Sequence, residues 1–208
     1  MILIYSNKIT PRIKYIFKHI FTLRLGAKID FTSDIEYFKE YDSYKISYNN
    51  NQIQNEFYVN SSEILLSHKI EDLDIEVDIW DGLPVFFSNK KNPFFQFDIF
   101  GASFYLISRY EEYLLHLKDD FGRFNPSSSL AFKNRFLNKP IVDFWIKRFK
   151  QSFLNFYPDY SFKKDKFKLV TCLEVPCAFD FKGKGLIRTL GGFLRDVIRL
   201  DIYRIYRR

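Results

Sequence analysis

The sequence opens with MILIYSNKITPRIKYIFKHIFTLRLGAKIDFT (residues 1–32), and this segment indicates the fold class. Residues 2–5 form a short apolar run that is typical of a buried strand. Thr10-Pro11 is typical of a helix start, an N-cap followed by proline at the first helical position. Apolar residues then recur at helical spacing as far as Gly26, and residues 28–32 form a second strand-like run. A strand, a helix and another strand predict two parallel strands with a right-handed crossover.

The pattern that follows adds short strands and long helices to this opening. Acidic and apolar residues alternate over residues 73–79, which predicts a strand with one buried face. Pro84 makes the next short run an edge strand. The other predicted elements are a helix that Asp34 caps and that ends at Tyr41, strands at 45–48, 56–59 and 83–87, and helices at 98–113 and 140–156. The sequence predicts an α/β fold, with α+β as the alternative, in which helices flank a mixed sheet.

A polar stretch at residues 159–165 is interpreted as a linker. It separates a first domain, residues 1–160, from a second segment, residues 166–208. That segment has a strand-like apolar run at 167–175 and then an amphipathic helix from Leu186 to Arg208, which two adjacent glycines are expected to interrupt. We therefore expect one domain followed by the start of another.

Composition and charge place the chain among globular proteins. Hydrophobic residues make up 47% and charged residues 27% of 208, which is enough for an ordinary core. The net charge is +7, and residues 182–208 contain eight basic and two acidic residues, so that most of this charge lies in the tail. Because the rest of the chain is close to neutral, nucleic-acid binding is not favoured.

Three interpretations apply to the basic tail. In order of preference, it is the exposed face of a domain that continues, a helix for an anionic membrane surface, or a nucleic-acid contact. The membrane interpretation depends on arginines that lie beside Phe193, Leu194, Ile198 and Tyr203.

The N-terminus has neither the basic stretch nor the small-residue cleavage site of a secretory signal. No apolar run approaches the ~20 residues of a membrane span. We therefore expect a cytoplasmic protein. Cys172 and Cys177 have no neighbouring histidine with which to form a zinc site, and they are interpreted as inert thiols in and after a buried strand.

Several candidate motifs favour structural roles. His19, His68 and His116 are isolated in sequence and are interpreted as surface or helix-flank residues. The sequence contains no Gly-rich phosphate-binding loop. Asp119, with Asp120 and Asn125 nearby, lacks the ligand spacing and terminal Glu of a calcium loop, so we predict a turn.

Residues 109–113, Arg-Tyr-Glu-Glu-Tyr, lie at the end of the apolar helix predicted at 98–113. Together with Asp98, Arg109, Glu111 and Glu112 would give a carboxylate cluster. The interpretation we favour is a buried Arg–Glu ion pair that orders the loop after it.

Several stretches, taken together and in order, resemble a bacterial family of polysaccharide deacetylases. Members of that family carry an uncharacterised N-terminal domain ahead of the deacetylase domain, and the resemblance covers nearly the whole chain. The stretches are MILIYSNKITPRIKYIFK (1–18), WDGLP (80–84), FDIFGASFYLISRYEEY (97–113), DDFGRF (119–124), KPIVDFW (139–145) and KGLIRTLGG (184–192).

The resemblance implies an altered catalytic motif. In the family, the first strand of the (β/α) barrel ends in Thr-x-Asp-x-Asp, where one Asp is the general base and the other binds a divalent metal with two histidines. Here Glu174 stands at the first position and Pro176 at the second. Glu174 keeps a carboxylate, displaced by one methylene, whereas Pro176 has no side chain that binds a metal. No histidine follows His116.

We therefore expect residues 1–160 to be a non-catalytic accessory or binding domain. Residues 166–208 are expected to be the first strand and helix of an incomplete, truncated deacetylase-like domain. No cofactor is expected in this chain, because the divalent metal belongs to full-length relatives. The implied partners are the missing deacetylase domain or a polysaccharide.

Two alternatives remain for the function. One is part of a metal-dependent N-deacetylase of envelope or capsular polysaccharide, with the barrel supplied elsewhere. The other is a membrane-surface or partner-binding protein that acts through the basic helix.

Overall fold

A computed structural model describes residues 1–90, 92, 94–163, 167, 169–175 and 185–207. The chain divides into two compact units, Met1–Lys164 and Asp165–Arg208. The division lies close to the predicted linker.

The first unit is built on a four-stranded parallel sheet with the order β2-β1-β3-β4. Its strands are β1 (Ile2–Tyr5), β2 (Ile29–Thr32), β3 (Lys45–Asn49) and β4 (Phe57–Asn60). The parallel pairing of β1 with β2 confirms the parallel strands predicted from the opening residues. The antiparallel hairpin of β5 (Asp78–Trp80) and β6 (Leu83–Val85) forms a separate sheet. The α/β class is confirmed, and the predicted mixed sheet is a parallel sheet with a separate hairpin.

The described residues of this unit form six α-helices: α1 (Pro11–Phe17), α2 (Ile35–Glu40), α3 (Glu63–Leu66), α4 (Ile99–Ile107), α5 (Leu130–Lys133) and α6 (Ile141–Phe156). Helix α1 begins where predicted because the Thr10 hydroxyl accepts a hydrogen bond from the amide of Ile13, at 3.1 Å. A π-helix, Lys18–Arg24, continues α1. The chain then turns at Gly26, whose φ is +64°, and a Cβ there would lie 2.9 Å from the Cβ of Lys163.

Alternate residues of β1 face two unequal cores. Ile2 and Ile4 belong to the large core with α1, α4 and α6. Leu3 and Tyr5 belong to a small core on the opposite face with Phe38 of α2. In the large core, the rings of Phe17 and Phe100 stack with centroids 3.8 Å apart. This aromatic layer packs the helices onto one side of the sheet.

The connection between β3 and β4 is unusually short for adjacent parallel strands, which ordinarily need a crossover of a dozen or more residues. Here residues 50–56 make the crossover without a helix. The buried carboxylate of Glu56 holds the connection, because it accepts hydrogen bonds from the amides of Ile53 and Gln54, at 2.9 and 2.7 Å. It also accepts one from the Ser47 hydroxyl at 2.5 Å.

Two predictions for the first unit are wrong in detail. Residues 73–77 alternate in burial as the pattern indicated, but they pair with no strand, and the strand begins only at Asp78. The helix predicted at 98–113 ends at Ile107. Arg109 then has left-handed dihedral angles, φ 54° and ψ 46°, and a 3-10 helix, Tyr110–Tyr113, follows it.

The second unit consists of α7 (Leu186–Ile198) and α8 (Ile202–Arg207) among its described residues. Residues 167 and 169–175 lie in no strand, so the predicted first strand of a barrel is not confirmed. The predicted interruption at Gly191-Gly192 is wrong, since α7 runs through both glycines. The helix breaks instead before α8, where Leu200 has a φ of +52°. In the part of the chain that the structure describes, no helix is long and apolar enough to cross a bilayer.

Candidate functional site

The crevice beyond the carboxyl ends of the parallel strands is the usual ligand site of an open α/β sheet. In this protein α3 covers that crevice at the end of β1. The Thr10 hydroxyl donates to the carbonyl of Leu65 at 2.5 Å, and the Lys8 ammonium donates to that of Leu66 at 2.8 Å. We therefore expect a ligand site of the first unit away from the end of β1.

Open space lies beyond the end of α4, where three adjoining cavities surround Phe124. Their volumes are about 700, 330 and 250 Å³. All three are open to solvent and share Phe124 in their walls, so we describe them as one feature, the Phe124 groove. Its charged and histidine side chains are Asp72, Arg109, Glu111, Glu112, His116, Lys118, Asp119, Arg123 and Lys133.

The sharp turn at Arg109 creates this groove. A left-handed conformation is costly for a residue with a side chain, and it redirects the chain out of α4. The Arg109 guanidinium forms an ion pair with Glu112. The predicted Arg–Glu pair is therefore present, but it is not buried, because the Arg109 side chain is 72% exposed.

Glu111, rather than Glu112, ties down the loop that follows. Its carboxylate accepts a hydrogen bond from the amide of Leu130, the first residue of α5, at 2.6 Å. Burial raises the pKa of the Glu111 carboxyl, and the hydrogen bond from Leu130 acts in the opposite direction. This contact fixes both ends of the loop between residues 111 and 130, so that the groove has a defined wall.

The opposite wall is the turn predicted around Asp119, which is confirmed. The Asp119 carboxylate accepts hydrogen bonds from the amides of Phe121 and Arg123, at 2.9 and 2.8 Å. The Arg123 guanidinium adds a third, from Nε at 3.0 Å. The hydrogen bond from the Arg123 amide is the main reason why the pKa of Asp119 is lowered. The carboxylate therefore serves the turn.

His116 lies between the two larger cavities and lines both of them. Its Nδ1 is 2.8 Å from the carbonyl oxygen of Leu114. Its ring meets that of Phe124 edge to face, with centroids 5.1 Å apart. The sequence interpretation of His116 as an isolated surface residue missed this position, and the neighbouring Asp-Asp-Phe-Gly-Arg-Phe motif was the available signal. Among the described residues, no group of three or more His, Cys, Asp or Glu is placed to hold a metal ion.

A second polar cluster, centred on Asp98, lies inside the large core. One Asp98 oxygen accepts hydrogen bonds from the hydroxyl of Tyr48 at 2.7 Å and from the amide and hydroxyl of Ser62, at 2.9 and 2.5 Å. The other oxygen accepts from the amides of Phe100 and Gly101 and so caps α4. Burial raises the pKa of Asp98 and also that of Tyr48. Asp98 is therefore a structural residue and does not join the carboxylates of the groove.

The residues that the resemblance marked as catalytic lie in the second unit. Glu174 is exposed and lies in no strand. Pro176 and Cys177 lie outside the described residues. Cys172 was expected in a buried strand, but it is exposed and in no strand.

Comparison with known proteins gives one match. A model of the family of unknown function DUF7033 matches residues 2–158, which is nearly all of the first unit. No curated protein and no solved structure matches the chain.

Proposed function

We propose that the first unit of this chain, which belongs to the family of unknown function DUF7033, is a non-catalytic saccharide-binding module. Its binding site in this proposal is the Phe124 groove. The observation that carries the proposal is the pairing of charges along the groove. Arg109 with Glu112 and Arg123 with Asp119 form two ion pairs on its walls.

Such walls suit a saccharide because a sugar hydroxyl both donates and accepts hydrogen bonds. The Arg109–Glu112 pair offers guanidinium N–H donors and a carboxylate acceptor side by side, and the Arg123 guanidinium adds further N–H donors. The groups already have partners within the protein, so a neutral ligand does not have to compensate a buried charge.

An exposed aromatic residue in the Asp119 turn, next in sequence to the lining residues Gly122 and Arg123, adds the apolar contact that the face of a sugar ring needs. The Phe121 side chain is 80% exposed. The Arg123 guanidinium lies over its ring at 4.8 Å from the centroid, which restricts the orientation of the ring. The ligand would therefore lie across Phe121 and Arg123.

The resemblance of the sequence to polysaccharide deacetylases supports a saccharide in particular. It favours an envelope or capsular polysaccharide as the ligand and a deacetylase domain as the partner of this module. In this proposal any divalent metal and the hydrolysis of the amide bond belong to that domain, and the first unit supplies binding.

The test is calorimetric titration of the purified full chain with N-acetylglucosamine and glucosamine oligosaccharides. We expect saturable binding, and we expect Arg123→Ala to weaken it by about tenfold or more, since hydrogen bonds to charged groups contribute about 1.5–3 kcal/mol. Phe121→Ala should weaken it as well.

Arg148→Ala is the matched control. Arg148 also pairs with an aspartate, Asp81, at 2.6 Å, but it lies on α6 and lines none of the three cavities. This variant should bind as the wild type does. Saturable binding that Arg123→Ala and Phe121→Ala leave unchanged would contradict the site, and no binding to any saccharide would contradict the function.

A further inference from the structure

Helix α7 in the second unit separates apolar and basic residues onto opposite faces. With 3.6 residues per turn, seven apolar residues fall on one side. Arg188, Arg195 and Arg199 share the opposite side. The apolar residues are Leu186, Ile187, Leu190, Phe193, Leu194, Val197 and Ile198.

The apolar face of α7 is open to solvent. Its seven side chains are between 41% and 90% exposed. Leucine, isoleucine and phenylalanine exposed together along one helix form a continuous apolar surface rather than the isolated exposed residues of an ordinary protein surface. Such a surface is typical of a site that binds a membrane or another protein.

The arginines indicate what binds there. The polar side of α7 has three arginines and one aspartate, Asp196, which is buried and lies 3.7 Å from Arg195, so arginines predominate on this side. An apolar face with leucine and phenylalanine, backed by a basic face, is the pattern of a helix that lies in the interface of an anionic bilayer. Its length of thirteen residues is too short to span a bilayer and sufficient to lie along its surface.

Side chains of α8 fit the same environment. Ile202, Tyr203 and Tyr206 are 77%, 68% and 91% exposed. Tyrosine is enriched at the level of lipid headgroups, where its ring meets the acyl chains and its hydroxyl meets water.

We propose that α7 docks on the surface of an anionic lipid bilayer, with its apolar face in the acyl-chain boundary and with Arg188, Arg195 and Arg199 at the phosphate level. The arginine stems extend from the polar side of the helix toward the headgroups. This inference is independent of the saccharide groove.

The test is co-sedimentation of the full chain with phosphatidylcholine vesicles that contain either no phosphatidylglycerol or about 40% phosphatidylglycerol, which makes the surface anionic. We expect binding to the anionic vesicles that weakens as salt is raised. The triple variant Arg188→Gln, Arg195→Gln, Arg199→Gln should bind on the order of a hundredfold more weakly, given the usual contribution of each basic residue near an anionic surface.

Two further variants separate the apolar contact from charge alone. Leu194→Asp places a charge in the apolar face and should abolish binding to either vesicle. Leu23→Asp is its matched control, because Leu23 is also an exposed leucine, at 74%, but belongs to the first unit. That variant should bind like the wild type.

Each other outcome overturns the proposal. Equal binding to neutral and anionic vesicles would show an apolar contact without the charge that the proposal requires. No binding to anionic vesicles, together with concentration-dependent dimers in light scattering that Leu194→Asp dissociates, would show that a second copy covers the face. No binding and no self-association would show that the face does not bind lipid.

Discussion

Helices α6 and α7 are both amphipathic, but their apolar faces have opposite environments. In α6, Trp145, Phe149 and Phe153 are fully buried against the sheet and α4. In α7, Leu190 and Leu194 are more than 60% exposed. The two helices show that a periodic apolar face predicts a helix whose face is covered by something else. The periodicity does not show what covers the face, and other evidence is needed to identify it. The additional evidence for α7 is that its apolar face is exposed beside a polar side on which arginines predominate.

The largest expected difference between these helices is in amide exchange. The core amides of α6 should exchange only through global unfolding, whereas those of α7 should open locally. For a domain of ordinary stability, we expect exchange to differ by about a thousandfold or more. Hydrogen–deuterium exchange of the full chain without lipid measures this, and slow exchange in α7 would mean that its exposed face is covered.

Truncation of one side chain in each helix should differ by several kcal/mol. Trp145→Ala removes a ring that packs on Phe86 and Phe97 and whose Nε1 donates to the Pro84 carbonyl at 3.1 Å. We expect it to lower the free energy of unfolding by about 3–5 kcal/mol. Leu194→Ala should change the free energy of unfolding by less than about 0.5 kcal/mol. Urea denaturation measures both free energies of unfolding. Similar decreases for the two variants would contradict the expected difference between the helices.

A smaller effect is expected at Asp98, the buried N-cap of α4. In Asp98→Asn, the NH₂ group of the new side chain faces amide or hydroxyl donors whichever way it is turned. We expect this to lower the free energy of unfolding by about 1–3 kcal/mol. Because burial raises the pKa of Asp98 in the folded protein, protonation favours the folded state. The higher free energy of unfolding of the wild type, relative to Asp98→Asn, should be fully present below the pKa of Asp98 in the unfolded chain, about 3.9. It should diminish as pH rises through the pKa of Asp98 in the folded protein.

Urea denaturation of both proteins at several pH values measures this dependence. An advantage that grows with pH would mean that the five hydrogen bonds outweigh burial and lower the pKa of Asp98. Ser103→Ala is a control, because Ser103 is buried in the same helix and its hydroxyl forms no hydrogen bond with the Asp98 carboxylate.

The smallest effect is expected at Glu174, the carboxylate of the second unit that the family resemblance marked. Glu174→Gln should change neither stability nor acetate release, because the side chain is exposed and Pro176 offers no metal ligand. The assay incubates the full chain with zinc or cobalt and N-acetylated oligosaccharides. Acetate release by the wild type that the variant abolishes would establish a catalytic role for Glu174.

Local signals were sufficient for the opening of the fold and insufficient where partners lie far apart in sequence. Thr10-Pro11 and the periodic residues after it predicted α1 because an N-cap acts within one turn. The alternation over residues 73–77 predicted burial correctly and pairing wrongly, because a strand also needs a partner with free backbone groups. The turn at Arg109 interrupts a pattern that continues to look helical.

The groove was predictable only in its components. Arg109, Glu111, Glu112 and Asp119 were all noted in the sequence, as an ion pair and a turn. Their assembly around Phe124 depends on the hydrogen bond from Leu130 to Glu111, between residues nineteen positions apart. A contact of this kind has no periodic signature, so the sequence showed which residues carry charge and not which share a cavity.

The short connection between β3 and β4 has a kinetic consequence. Ile46 pairs with Phe57, whereas Leu3 pairs with Asp30 and Lys45 through much longer loops. Closing a short loop costs less entropy, and local contacts form faster than distant ones. The β3–β4 pair, held by Glu56, is therefore expected to belong to the folding nucleus. Strand β1, which is synthesised before β3 and β4, would then join the sheet after those two strands have paired.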